Sequence, residues 1–111
     1  MTSTVTRTRG DDWEIEGPIE FGGAPVDLTG CTLAAKLRET AESTTATATF
    51  TVSVVGDATE GNVRLTLARA TTAGIAPRDA YVYDIEVTNA SNKKTTYGVG
   101  SKLIVKGDAT W

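Results

Sequence analysis

The stretch that decides the fold is ATATFTVSVV, at residues 46–55. Threonine and serine take most of its odd positions, and its even positions are apolar: Ala46, Ala48, Phe50, Val52 and Val54. Because successive side chains of a β-strand point to opposite faces, this alternation predicts a strand with one buried face. Threonine makes up about a fifth of the chain, and its branched side chain fits a pleated strand better than a helix.

The same period of two recurs on both sides of this stretch, and clusters of Gly, Pro, Asn and Asp separate the segments. The further segments with this alternation are 13–21, 31–38, 63–67, 80–88 and 97–105. One short helical turn is predicted near 71–76, with Thr71 or Thr72 as its cap, Ile75 pointing inward and Pro77 ending it. About seven antiparallel strands at regular spacing predict an all-β chain with a single Ig-like β-sandwich. A small Greek-key barrel would carry the same alternation, so both architectures remain open.

A chain of 111 residues fits one domain. We assign residues 9–106 to the β-sandwich domain and 107–111 to a C-terminal tail. Residues 1–8 carry β-formers but little apolar character. They are expected to form an extended N-terminal arm, with an edge strand as the alternative.

The composition argues against catalysis. The chain has no histidine and a single cysteine, which excludes a Ser-His-Asp triad, a Cys-His dyad and histidine-ligated zinc. Cys31 falls on the apolar face of its segment and is predicted to pack as a small hydrophobic side chain. We therefore expect no enzyme activity, no cofactor and no metal. The oxygen-rich turn containing Asp57, Glu60 and Asn62 offers calcium ligands, but such residues dominate turns for backbone reasons.

Charge and hydropathy limit the classes of partner. The net charge is −3 without a block of like charges, so no nucleic-acid partner is expected. There is no apolar run long enough for a membrane span, and the first residues lack the apolar core of a secretory signal. A free cysteine suits synthesis in a reducing cytoplasm.

Three side chains are candidate assembly contacts: Val5, Trp13 and Trp111. Val5 is the one apolar residue in the segment 2–8. Trp111 follows a polar tail, so it either folds back on its own domain or inserts into a neighbouring subunit. The other aromatics with the apolar parity of their strands are predicted to lie in the core: Phe50, Tyr83 and Tyr97. Ile19 and Phe21 resume the apolar phase of the first strand after Gly17-Pro18.

Three segments together carry a resemblance to a known family. They are RGD at 9–11, GAPVDLTG at 23–30, and TTAGIAP at 71–77 followed by YVYDIEV at 81–87. In this order the chain resembles, over roughly residues 9–105, the small Ig-like domains of tailed bacteriophages. It is most similar to the N-terminal domain of baseplate upper proteins and to tail-fibre attachment modules.

This resemblance implies a non-enzymatic virion structural protein, made in the cytoplasm of the bacterial host. It would act at the tail or baseplate as an adaptor or fibre-attachment module, through contacts with other virion proteins and as a homo-oligomer. The alternative is a capsid decoration (cement) protein bound to the major capsid protein. A carbohydrate- or cell-binding module is a third hypothesis, for which an exposed aromatic patch or the RGD tripeptide would be needed.

Overall fold

The structure, a computed structural model, describes residues 4–40, 42–43 and 45–107. A 3₁₀ turn spans Ala58–Glu60 and a short helix, α1, spans Arg69–Thr72. The strands, in chain order, are β1 (Thr4–Thr8), β2 (Trp13–Pro18), β3 (Glu20–Phe21), β4 (Ala24–Pro25), β5 (Thr32–Arg38), β6 (Ala48–Val54), β7 (Asn62–Leu67), β8 (Arg78–Thr88) and β9 (Lys94–Lys106).

Seven strands run in the spatial order β1-β9-β8-β5-β6-β7-β2. Strand β6 belongs to both layers of the fold, because Ala48–Phe50 pair with β5 while Thr51–Val54 pair with β7. One layer is therefore β1-β9-β8-β5 and the other is β7-β2. This confirms the predicted all-β, Ig-like sandwich. One pairing differs from the antiparallel expectation, since β1 runs parallel to β9.

The N-terminal segment is part of the sheet from Thr4 onward. Thr4–Thr8 pair with Lys102–Lys106, and Val5 is half-buried against the core. Residues 4–8 therefore form the edge strand, which was the alternative, and not the expected extended arm. Residues 1–3 lie outside the described residues. The physical reason is that the outer edge of β9 offers backbone N–H and C=O groups that a neighbouring strand satisfies.

The alternating positions of the strands fill one core between the layers. Residues from both layers are at most 9% exposed, among them Leu37, Ala48, Leu65, Ile85 and Leu103. Phe50 and Tyr83 meet edge to face with ring centroids 6.1 Å apart, which confirms their predicted place in the core. Tyr97 and Cys31 are half-buried and pack against its margin.

The helical turn begins earlier than predicted and is capped from another part of the chain. The sequence suggested Thr71 or Thr72 as the cap, whereas the backbone N–H of Arg69 donates to Asp12 Oδ1 at 2.8 Å. Thr72 is buried and its hydroxyl donates to the carbonyl of Asp11 at 2.7 Å. Ile75 is buried as predicted. Among the described residues, no helix is long and apolar enough to cross a membrane.

Candidate interaction surface

A two-residue turn places one aromatic ring in solvent. Gly22 and Gly23 connect β3 to β4 and both have positive φ, 64° and 82°, as a tight hairpin turn of the type I′ class requires. Phe21 pairs with Ala24 directly before this turn, and 78% of its surface is exposed. The phenyl ring is therefore accessible to a partner, and we treat the hairpin tip as a candidate contact.

The base of this hairpin is fixed to the body of the sandwich. Ile19 is fully buried, and its N–H donates to the carbonyl of Gly61 at 2.8 Å. The N–H of Val26 donates to the carbonyl of Ile19 at 2.9 Å, and that of Leu28 to Ala58 at 2.9 Å. These bonds hold both legs of the hairpin, so Phe21 is presented from an ordered support.

Phe21 shares the apolar phase of Ile19 in the sequence, but its side chain is exposed whereas that of Ile19 is buried. The two residues share parity, but the chain turns immediately after Phe21 at Gly22. Strand β3 is therefore too short to bring the ring over the core. The signal in the sequence was the Gly-Gly pair itself, which ends the strand at Phe21 and makes the hairpin a projection.

An apolar cleft of about 210 Å³ lies between the two layers. Strands β2 and β7 form one wall and β8 forms the other. The lining is Ile15, Glu16, Gly17, Pro18, Val63, Leu65, Tyr83 and Ile85. A side-chain carbon built on Gly17 would have no atom within 4 Å, so the missing side chain at this position helps to leave the cleft open.

The charge beside the cleft is balanced within the chain. Glu16 lies 2.9 Å from the guanidinium of Arg64, and Glu14 lies 3.6 Å from it. The hydrogen bond to Glu16 raises the pKa of Arg64, and both carboxylates add to this effect. Because each charge has a partner, an apolar group entering the cleft meets no isolated carboxylate.

The three predicted assembly contacts have different outcomes. Trp13 is only 1% exposed, so the structure corrects its role from surface contact to core residue. Its indole N–H donates to the carbonyl of Thr8 at 2.7 Å, which joins β2 to β1. Val5 lies inside the sheet and is half-buried. Trp111 lies outside the described residues, and its role stays a prediction.

The RGD tripeptide is held by the fold. Arg9 donates from Nη2 to the carbonyl of Ala73, and the N–H of Gly10 donates to the hydroxyl of Thr72 at 3.0 Å. The Asp11 carbonyl accepts from the same hydroxyl. All three residues thus take part in packing the β1–β2 turn against α1.

The acidic turn after β6 is also explained by local bonding. Asp57 Oδ1 accepts from the N–H of Thr59 at 3.0 Å and from its hydroxyl at 2.8 Å. These bonds lower the pKa of Asp57 because they stabilise its charged form. Within residues 4–40, 42–43 and 45–107, no group of three or more acidic, Cys or His side chains is arranged to hold a metal ion.

A second, small gap lies on the outer face of β5 and β8, beside Asp84. It measures about 10 Å³, which is the size of one water molecule. Partial burial raises the pKa of Asp84, with Glu86 adding to the shift and Arg38 opposing it. The gap is too small for a ligand, so the hairpin and the cleft are the features of the described residues that we consider as candidate contacts.

Comparison with known proteins gives the fold. No family model matches the chain, and no curated protein matches it. A solved structure, the ZIG-8–RIG-5 IG1-IG1 heterodimer in its monoclinic form, aligns with a TM-score of 0.52 and 13% sequence identity. The alignment covers 96% of this chain and 83% of that chain. At this identity the similarity establishes the Ig-like fold and nothing finer.

Proposed function

We propose that this chain is a non-enzymatic protein-interaction module, with the Phe21 hairpin as its docking element. The observation that carries the proposal is a phenyl ring 78% exposed on a hairpin whose base is hydrogen-bonded to the sandwich. Aromatic side chains on ordered supports are frequent anchors of protein interfaces, because they bury much area at a low cost in conformational entropy. The Ig neighbour is itself part of a heterodimer of Ig domains, which supports the same general role.

We propose further that the assembly is a bacteriophage virion, in which the chain is an adaptor or fibre-attachment module at the tail or baseplate. The support is the resemblance carried by residues 9–11, by residues 23–30, and by residues 71–77 followed by 81–87. The segment 23–30 leads from the hairpin into β5 and includes Leu28, which is buried at the hairpin end. The segment 71–77 leads into β8 and includes Ile75, which is buried at the end occupied by α1.

Two other functions compete with this proposal. A capsid decoration protein has the same fold requirements and differs in location and copy number. A carbohydrate-binding module would need several exposed rings, but among the described aromatics only Phe21 is exposed. A cell-adhesion role would need a free RGD tripeptide, whereas the Arg9 side chain, the Gly10 N–H and the Asp11 backbone carbonyl bond to the α1 region.

Quantitative mass spectrometry of purified virions encoding this chain tests the proposal. A tail or baseplate position predicts a few to a few dozen copies per particle, because the symmetry of such structures fixes the copy number. Capsid decoration predicts on the order of hundreds of copies. A count in the hundreds would replace the tail assignment by the capsid alternative. Absence of the chain from particles would overturn the virion proposal.

A further inference from the structure

We propose that one partner of the docking element is a second copy of this chain, and that Phe21 of each copy occupies the cleft of the other. This proposal rests on the function proposed above, in which the hairpin docks on protein. It adds the receiving site, which is the cleft between β2, β7 and β8. Both halves of the contact are thus present on one chain.

The size of the cleft selects its occupant. An apolar protein cavity of about 150 Å³ binds benzene, whereas pockets for drug-sized molecules measure about 300–1,000 Å³. The cleft here is about 210 Å³, so it has room for one aromatic side chain and little more. Within the described part of the chain, Phe21 is the exposed aromatic residue.

The positions of Phe21 and of the cleft on the chain favour a reciprocal contact. Gly17 and Pro18 line the cleft, and Pro18 comes three residues before Phe21, so Phe21 lies within about 11 Å of the cleft lining along the chain. When Phe21 of one copy enters the cleft of its partner, the partner's own hairpin lies beside the cleft of the first copy. A two-fold axis then satisfies both contacts at once, which is the commonest symmetry of protein dimers.

The charges permit this contact. The tip from Phe21 to Pro25 carries no charged side chain. On the receiving side, the carboxylate of Glu16 is already paired with Arg64 at 2.9 Å. Burial of Phe21 and the glycine turn itself therefore takes no charged side chain away from water, which would be costly.

A substitution at Gly17 provides a way to narrow the cleft without changing the hairpin. A side-chain carbon at this position meets no atom within 4 Å, and the backbone there is not in the left-handed region. Valine also fits a strand better than glycine does. Gly17→Val should therefore occupy part of the cleft and obstruct an entering ring, while the fold keeps or gains stability.

Sedimentation equilibrium of the full chain over a range of concentrations tests the proposal. The wild type is expected to dimerise. Phe21→Ala and Gly17→Val should each raise the dissociation constant at least roughly 30-fold, the effect typical of losing a central anchor. Val54→Ala is the matched control, since Val54 is an exposed apolar side chain outside the cleft lining, and it should leave the constant unchanged.

Mixing the two variants gives a sharper result. A Phe21→Ala chain has an intact cleft and a Gly17→Val chain has an intact Phe21, so a mixed dimer keeps one contact whereas each variant alone keeps none. The mixture should associate more tightly than either variant and less tightly than the wild type. Equal association of the mixture and the single variants would overturn the reciprocal contact.

Three other outcomes contradict the proposal. They are a wild type that stays monomeric, a dimer that resists both substitutions, and a dimer that survives Phe21→Ala but is lost with Trp111→Ala. None of these bears on the presence of the chain in virions. A monomeric chain found in particles would refute the self-contact alone, whereas a dimeric chain absent from particles would refute the virion proposal alone.

Discussion

Replacing Trp13 by alanine is expected to lower the free energy of unfolding by about 3–5 kcal/mol. The indole is only 1% exposed, and it belongs to the core cluster. Its removal leaves a large void between the layers and takes away the N–H that bonds Thr8 at 2.7 Å. Domains of this size have a total stability of about 5–15 kcal/mol, so a large part of the variant would be unfolded under mild denaturant. Urea denaturation followed by far-ultraviolet circular dichroism measures the loss.

Two control variants identify the cause of this loss. Trp13→Phe keeps most of the ring volume but not the hydrogen bond, so it should cost only about 1–2 kcal/mol. Phe21→Ala also deletes an aromatic ring, but this ring is exposed to solvent, so the free energy of unfolding should change by less than about 0.5 kcal/mol. If Trp13→Ala costs no more than Phe21→Ala, the placement of Trp13 in the core is wrong.

Gly61→Ala is the second substitution with a large expected effect, about 2–4 kcal/mol. Gly61 has φ of 71°, a left-handed conformation that disfavours any side chain. An added side-chain carbon would lie 2.8 Å from the carbonyl oxygen of Ile19 and 2.9 Å from that of Val26. Both are backbone atoms at the base of the hairpin, so the hairpin itself would have to move. The same urea titration measures the change.

Gly56→Ala is the matched control for this prediction. Its φ is also 71°, but the nearest atom to an added side-chain carbon is a flexible carboxylate oxygen of Glu60 at 3.7 Å. It should cost only the conformational penalty, about 1–2 kcal/mol. The additional loss in the free energy of unfolding for Gly61→Ala, compared with Gly56→Ala, then measures the cost of the close approach at the hairpin base. Equal losses for the two variants would contradict that contact.

The strands and much of the core could be predicted from the sequence, and the reason is physical. Each strand has one face against the core, so a period of two appears directly in residues such as Phe50 and Tyr83. The pairing of β1 with β9 could not be predicted in this way. Thr4–Thr8 contain a single apolar residue, and their partners lie almost a hundred positions away, so no local pattern indicates the contact.

The candidate surface was harder to predict than the fold. Trp13 has the parity of a buried face, but the partner of its indole, the carbonyl of Thr8, is a backbone group that no sequence pattern reveals. Phe21 has the same apolar parity as Ile19, and its exposure to solvent results from the hairpin turn at Gly22 and Gly23. The cleft depends on how the two layers are spaced around Gly17, which is a property of the folded chain.

The central claim is that this chain assembles through the Phe21 hairpin, and virion incorporation tests it most directly. The wild type and a Phe21→Ala variant are produced together during infection, and their ratio in purified particles is measured by mass spectrometry, with Val54→Ala as the control. Loss of a central interface anchor predicts that the Phe21→Ala chain is under-represented at least roughly tenfold, while Val54→Ala is incorporated like the wild type. Equal incorporation of Phe21→Ala and the wild type would contradict the claim.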